Sequence, residues 1–93
     1  MSKYKILPYT ISQAKKLKVM IVPSENPKKK IDVYKNNKKL YSIGDVNYKD
    51  FPTYLQTEGQ VVADNRRRLY KIRHEKYRKI IGSRSYYSDN LLW

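Results

Sequence analysis

The stretch Lys28-Lys29-Lys30-Ile31-Asp32-Val33-Tyr34-Lys35-Asn36-Asn37-Lys38-Lys39-Leu40-Tyr41-Ser42-Ile43 decides the fold class. Ile31, Val33 and Lys35 alternate with Asp32 and Tyr34, the period-2 pattern of a strand with two unlike faces. Asn36-Asn37 tolerates the left-handed backbone that a tight hairpin turn needs, and Leu40-Tyr41-Ser42-Ile43 returns as the second arm. A hairpin over about residues 29–43 follows. The β-branched run Lys18–Val22 reads as a neighbouring strand.

Outward from the hairpin, the chain turns helical. Gly44-Asp45-Val46-Asn47 reads as a turn. Pro52 follows the acidic Asp50 as a first helical residue should, so Phe51–Thr57 reads as a short helix stopped by Gly59. From about Gln60 to Ile81 the spacing predicts one long helix ended by Gly82, with an aromatic C-terminal segment over 86–93. Residues 1–17 read as a basic N-terminal arm: Pro8 keeps residues 1–10 out of a helix interior, as an arm or a short edge strand, and Ser12 caps a single turn through Lys16. The expected architecture is α+β: one domain over 18–93, with a two- or three-stranded antiparallel sheet packed on one long C-terminal helix and short helical turns besides.

Ninety-three residues with 21 Lys and Arg against 8 Asp and Glu carry a formal charge of +13. Such an excess repels itself in a compact state, and a polyanion relieves it by neutralisation and counterion release. The charge is unevenly divided. Residues 1–43 hold eleven lysines and two acids, and residues 44–93 hold four lysines, six arginines and six acids. Lysines supply diffuse attraction and arginines planar, orienting contacts. There is no cysteine and one histidine, so neither a disulfide nor a thiolate metal centre is expected, and no cofactor. No apolar run reaches the roughly 20 residues of a membrane span, and no signal peptide is read; a location inside the cell is the expectation.

On a helical wheel over 60–81, Val62, Ala63, Leu69, Tyr70, Ile72, Tyr77, Ile80 and Ile81 form an apolar arc. Arg66 and Arg73 point into that arc. Either they meet acids such as Asp45 or Asp50, or a phosphate meets them there. The nucleic-acid-binding candidates are Lys28, Lys29, Lys30, Lys35, Lys38 and Lys39 around the hairpin, with Arg66, Arg67, Arg68, Arg73 and Arg78 on the helix. The competing reading is a solvated helix face with local salt bridges, and lysines that guard a sheet edge. Tyr70, Tyr77, Tyr86, Tyr87, Leu91, Leu92 and Trp93 are candidates for core or for a protein contact. His74 has no nucleophile or second acid placed beside it and reads as a packed histidine. No Gly-rich phosphate loop, Gly-x-Ser-x-Gly or His-Glu-x-x-His occurs, so the chain reads as non-enzymatic.

The ordered series Ile43-Gly44, Asn47-Tyr48-Lys49-Asp50-Phe51, Arg66-Arg67, Tyr70-Lys71-Ile72-Arg73-His74 and Ser85-Tyr86-Tyr87-Ser88-Asp89-Asn90-Leu91-Leu92-Trp93 resembles small basic proteins of nucleocytoplasmic large DNA viruses, the giant viruses. The resemblance spans roughly residues 18–93, and the stretch Pro52–Gln60 departs from it. That family has no established activity. The resemblance therefore implies a viral origin, with virion packaging one expectation, rather than a mechanism. The expected function is sequence-tolerant nucleic-acid binding, DNA ahead of RNA. The alternative is a structural virion component or adaptor that meets other virion proteins through its aromatic C-terminus.

Overall fold

The computed structural model describes residues 4–93. It has eight elements in chain order: α1 (Pro8–Leu17), β1 (Met20–Pro23), β2 (Lys29–Lys35), β3 (Lys38–Asp45), α2 (Phe51–Glu58), α3 (Gln60–Arg73), α4 (Glu75–Arg78) and α5 (Arg84–Leu92). They group into two compact units, one through Tyr48 and one from Lys49 to Trp93. The fold is α+β, as the sequence predicts.

The first unit is built on a three-stranded antiparallel sheet of order β1-β2-β3. Its centre is the expected hairpin. Asn36 and Asn37 both take positive φ, 53° and 64°, the two-residue turn that matches strand twist. Across β1 and β2, Met20 faces Tyr34, Ile21 faces Val33, Val22 faces Asp32 and Pro23 faces Ile31. Ile31, Val33 and Ile43 are fully or almost fully buried, but so are Lys30 and Asp32 on the other face of β2, so burial does not alternate along this strand. An irregularity between Val33 and Tyr34 lets β3 carry one residue more, so Tyr41 faces Val33 and Lys39 faces Tyr34.

The stretch read as an arm contains α1, and its Met1, Ser2 and Lys3 lie outside the described residues. Pro8 does not block this helix. It sits at the first helical position, where the missing N–H would be unbonded anyway. Ser12, read as a cap, lies inside the helix, and Thr10 and Ala14 form its buried side. Lys18 ends α1 in the left-handed conformation, φ 58°, and its N–H bonds the Ala14 and Lys15 carbonyls.

The second unit is helical. Asp50 caps α2 by accepting the Thr53 N–H at 3.0 Å, with Pro52 in the first turn. Gly59, at φ 90° and ψ 174°, ends α2 and opens α3. The long helix expected over 60–81 is not there: α3 stops at Arg73, His74 leaves the helical conformation at φ −107° and ψ 11°, and only the single turn α4 follows. No glycine or proline marks the break. Side chains hold it instead. Glu75 clamps Arg78 and Lys79 at 2.6 and 2.8 Å, and Asp89 of α5 takes Lys71 from before the break and Arg78 from after it. Ser83 then caps α5 by accepting the Tyr86 N–H at 3.1 Å.

Candidate nucleic-acid interface

Within the first unit the hairpin lysines fall into three environments. Lys28, Lys35 and Lys38 are exposed and make no salt bridge among the described residues. Lys29 is half-buried and faces Asp45 across the ladder. Lys30 is buried, with its ammonium 5.4 Å from the Tyr4 ring centre, and Lys39 lies 3.5 Å from Asp32. Lys28, Lys29 and Lys30 sit at one end of β2 and Lys35, Lys38 and Lys39 near the other, and β2 is a seven-residue strand about 20 Å long, so the six do not form one cluster. Lys35 and Lys38 face each other across the last rung of the hairpin. Like charges opposed in this way destabilise a ladder and favour an anion between them. Because β1 pairs with β2 as far as Tyr34, only the turn from Lys35 to Lys38 stands clear of the third strand.

The same end of the sheet bears a groove of about 520 Å³. Met20, Val22 and Tyr34 line it, and Met20 and Val22 stay exposed on the edge strand. Lys18, Lys35 and the amides of Asn36 and Asn37 complete its walls. Nothing local in the sequence marks Lys18 as a site residue. Its place depends on the left-handed cap that turns the chain from α1 into β1. Farther along this sheet face, Asp32 is buried and accepts the hydroxyls of Ser24 and Ser42, each at 2.6 Å. Burial pushes the Asp32 carboxyl up, but those two hydroxyls, the Glu25 backbone and Lys39 outweigh it and hold the carboxyl below its usual range.

In the second unit the helix arginines also divide. Arg66, Arg68 and Arg73 are exposed and have no carboxylate partner among the described residues. Arg66 lies 5.6 Å from the Tyr54 ring centre, and Arg68 bonds the Asn65 side chain at 3.0 Å. Asp50 caps a helix, and Asp45 of the first unit accepts the Asn47 N–H at 2.9 Å. Arg67 and Arg78 are structural instead. The Arg67 guanidinium sits 3.4 Å from the centre of Phe51, and Arg78 joins Glu75 to Asp89.

The aromatic candidates are mostly core. Tyr70 lies between Trp93, at 4.4 Å and nearly parallel, and His74, at 4.2 Å. Its hydroxyl meets Ser88 at 3.0 Å. Tyr87, Leu91 and Leu92 are buried, and Tyr86 packs edge-on against Tyr87. The exception is Tyr77, which is 53% exposed; Leu69, Ile72, Ile80 and Ile81 are also exposed. The break at His74 destroys the continuous apolar arc, so residues beyond it lose the phase that a single helix would have given them.

His74 is the packed residue the sequence suggests. Burial against Tyr70 and the charge of Arg73 depress its pKa below the ordinary 6.5, and Asp89 only partly opposes them. Above pH 6.5 both folded and unfolded chains hold it neutral. As pH falls through 6.5 the unfolded chain protonates first, so stability should decline until the folded value is passed. Denaturant titrations between pH 7.5 and pH 5 should show this decline in the native chain and not in His74→Phe, which keeps a stacking ring.

Among the described residues there is no group of three or more His, Cys, Asp or Glu able to hold a metal ion, and no helix long and apolar enough to cross a membrane. No family model, curated protein or solved structure matches the chain.

Proposed function

We propose that this protein is a non-enzymatic, sequence-tolerant nucleic-acid-binding module that takes DNA ahead of RNA. One observation carries the reading: six exposed cations, Lys28, Lys35 and Lys38 around β2 and Arg66, Arg68 and Arg73 on α3, have no carboxylate partner among the described residues. Ammonium and guanidinium groups left in water at a net charge of +13 gain most from a dense row of phosphates. The preference for DNA rests on the two-stranded hairpin tip, which suits the major groove of B-form DNA, about 12 Å wide, and not the narrow one of A-form RNA. The helix arginines act on phosphates and carry no base readout.

Binding to a duplex should weaken linearly in log–log plots against salt, with a slope of about −0.9 per neutralised phosphate. Arg66 and Arg73 lie two turns apart on one side of α3. Arg66→Ala with Arg73→Ala should make the slope shallower by about two and weaken every duplex sequence equally. A flat salt dependence in the native protein would remove the proposal. The adaptor reading would then take its place, moved from the aromatic tail, which is largely core, to the exposed Ile72, Ile80 and Ile81.

A further inference from the structure

The hairpin-end groove is more than a patch of positive charge. Its floor is apolar and aromatic, built by Met20 and Val22 on the edge strand and by Tyr34 on the central strand. Lys18 stands on its wall with the backbone fixed at φ 58°, and Lys35 stands at the hairpin end. Neither lysine has a salt-bridge partner among the described residues. Asn36 and Asn37 also line it, their backbone fixed by the turn, and each side-chain amide has a donor and an acceptor. The volume of about 520 Å³ falls in the range of small-ligand sites. A duplex cannot use such a site, because its bases are stacked inside and only its phosphates would reach the lysines. A purely anionic ligand would leave the apolar floor uncovered. The occupant that satisfies floor, amides and lysines together is one unpaired nucleotide of a nucleic-acid strand.

We infer that this groove binds an unpaired nucleotide, its base laid on Tyr34 beside Met20 and its flanking phosphates on Lys18 and Lys35. The inference rests on the nucleic-acid reading above and narrows it: the preferred ligand is a duplex with a single-stranded extension. Stacking on a tyrosine tolerates any base, in keeping with sequence-tolerant binding. Lys38, opposite Lys35, supplies the phosphate contact on the duplex side.

The test compares three ligands against the full chain at one salt concentration: a blunt DNA duplex, the same duplex with a four-nucleotide extension, and the same extension made abasic. The abasic extension keeps the phosphates and removes the bases. The intact extension should bind about ten-fold tighter than the abasic one, and Tyr34→Ala should erase that difference while leaving blunt-duplex binding in place. In the native protein, selective ¹³C-methyl labelling of methionine reports the groove directly, because Met1 and Met20 are the only methionines. The Met20 methyl should shift upfield with the intact extension and stay put with the abasic one. Equal affinity for the two extensions, or an unmoved Met20 methyl, would overturn the groove assignment while leaving duplex binding standing. Failure of all three ligands to bind would overturn both readings. The comparison of extensions and the methyl signal need no variant, so a misfolded Tyr34→Ala would not rescue the idea.

Discussion

Leu91→Ala is expected to lower the stability of the protein by about 2–5 kcal/mol. Leu91 has no exposed surface and sits in α5, among the few fully buried side chains of a 45-residue helical unit. Removing its isobutyl group loses the transfer free energy of the buried atoms and leaves a cavity that the surrounding side chains fill only in part. Total stabilities of small proteins are about 5–15 kcal/mol, so the loss is a large fraction of what exists. Urea titration followed by circular dichroism should show a lower midpoint. A change under about 1 kcal/mol would mean that Leu91 is not the core residue described above. Leu92, 1% exposed, should behave alike, whereas Ile81→Ala, at 84% exposure, should change stability by less than about 0.5 kcal/mol.

Asp32→Ala should cost the sheet unit about 1–3 kcal/mol for each hydroxyl left without its acceptor. Asp32 is 1% exposed and accepts two hydroxyls at 2.6 Å, with Lys39 at 3.5 Å. Alanine would strand the hydroxyls of Ser24 and Ser42 in a place where little water can replace the carboxylate, and an unmade buried hydrogen bond costs more than a made one contributes. Asp32→Asn keeps an acceptor but loses the charge and should be milder. The sign of the pH effect follows from the depressed carboxyl pKa. The stabilisation from Asp32 is present above the unfolded value of 3.8 and is lost as pH falls from there through the folded value. Acid titration of the native chain against Asp32→Asn checks it: the difference between the two should narrow below about pH 4.

The hairpin was legible because two independent signals agree in it. Ile31 and Val33 alternate with Asp32, and Asn36-Asn37 supplies a turn that few residue pairs permit. The cap of α2 was legible for a similar reason, since Asp50 and Pro52 occupy positions with strong local preferences. The end of α3 was not. Periodicity reads straight through His74, and the break depends on the reach of Asp89 from α5 to both sides of it, a contact between residues eighteen apart. The helix α1 was hidden because proline disfavours helix interiors, and nothing local shows that Pro8 stands at the first helical position, where it is tolerated. The candidate site was half legible. Exposed cations can be counted from composition, but whether an arginine faces water or Phe51, as Arg67 does, is a tertiary fact. The same holds for Asp45, engaged in a local turn, and for Lys18, whose role arises from a backbone conformation.

The stack of Trp93 on Tyr70 has an optical consequence. The chain has one tryptophan, and it lies in the helical unit, 4.4 Å from a tyrosine ring and in the same aromatic group as Tyr54 and His74. Its emission is therefore a private reporter of that unit. A red shift on heating would time the moment when the stack opens to solvent, independently of the sheet, whose own aromatic residues are all tyrosines.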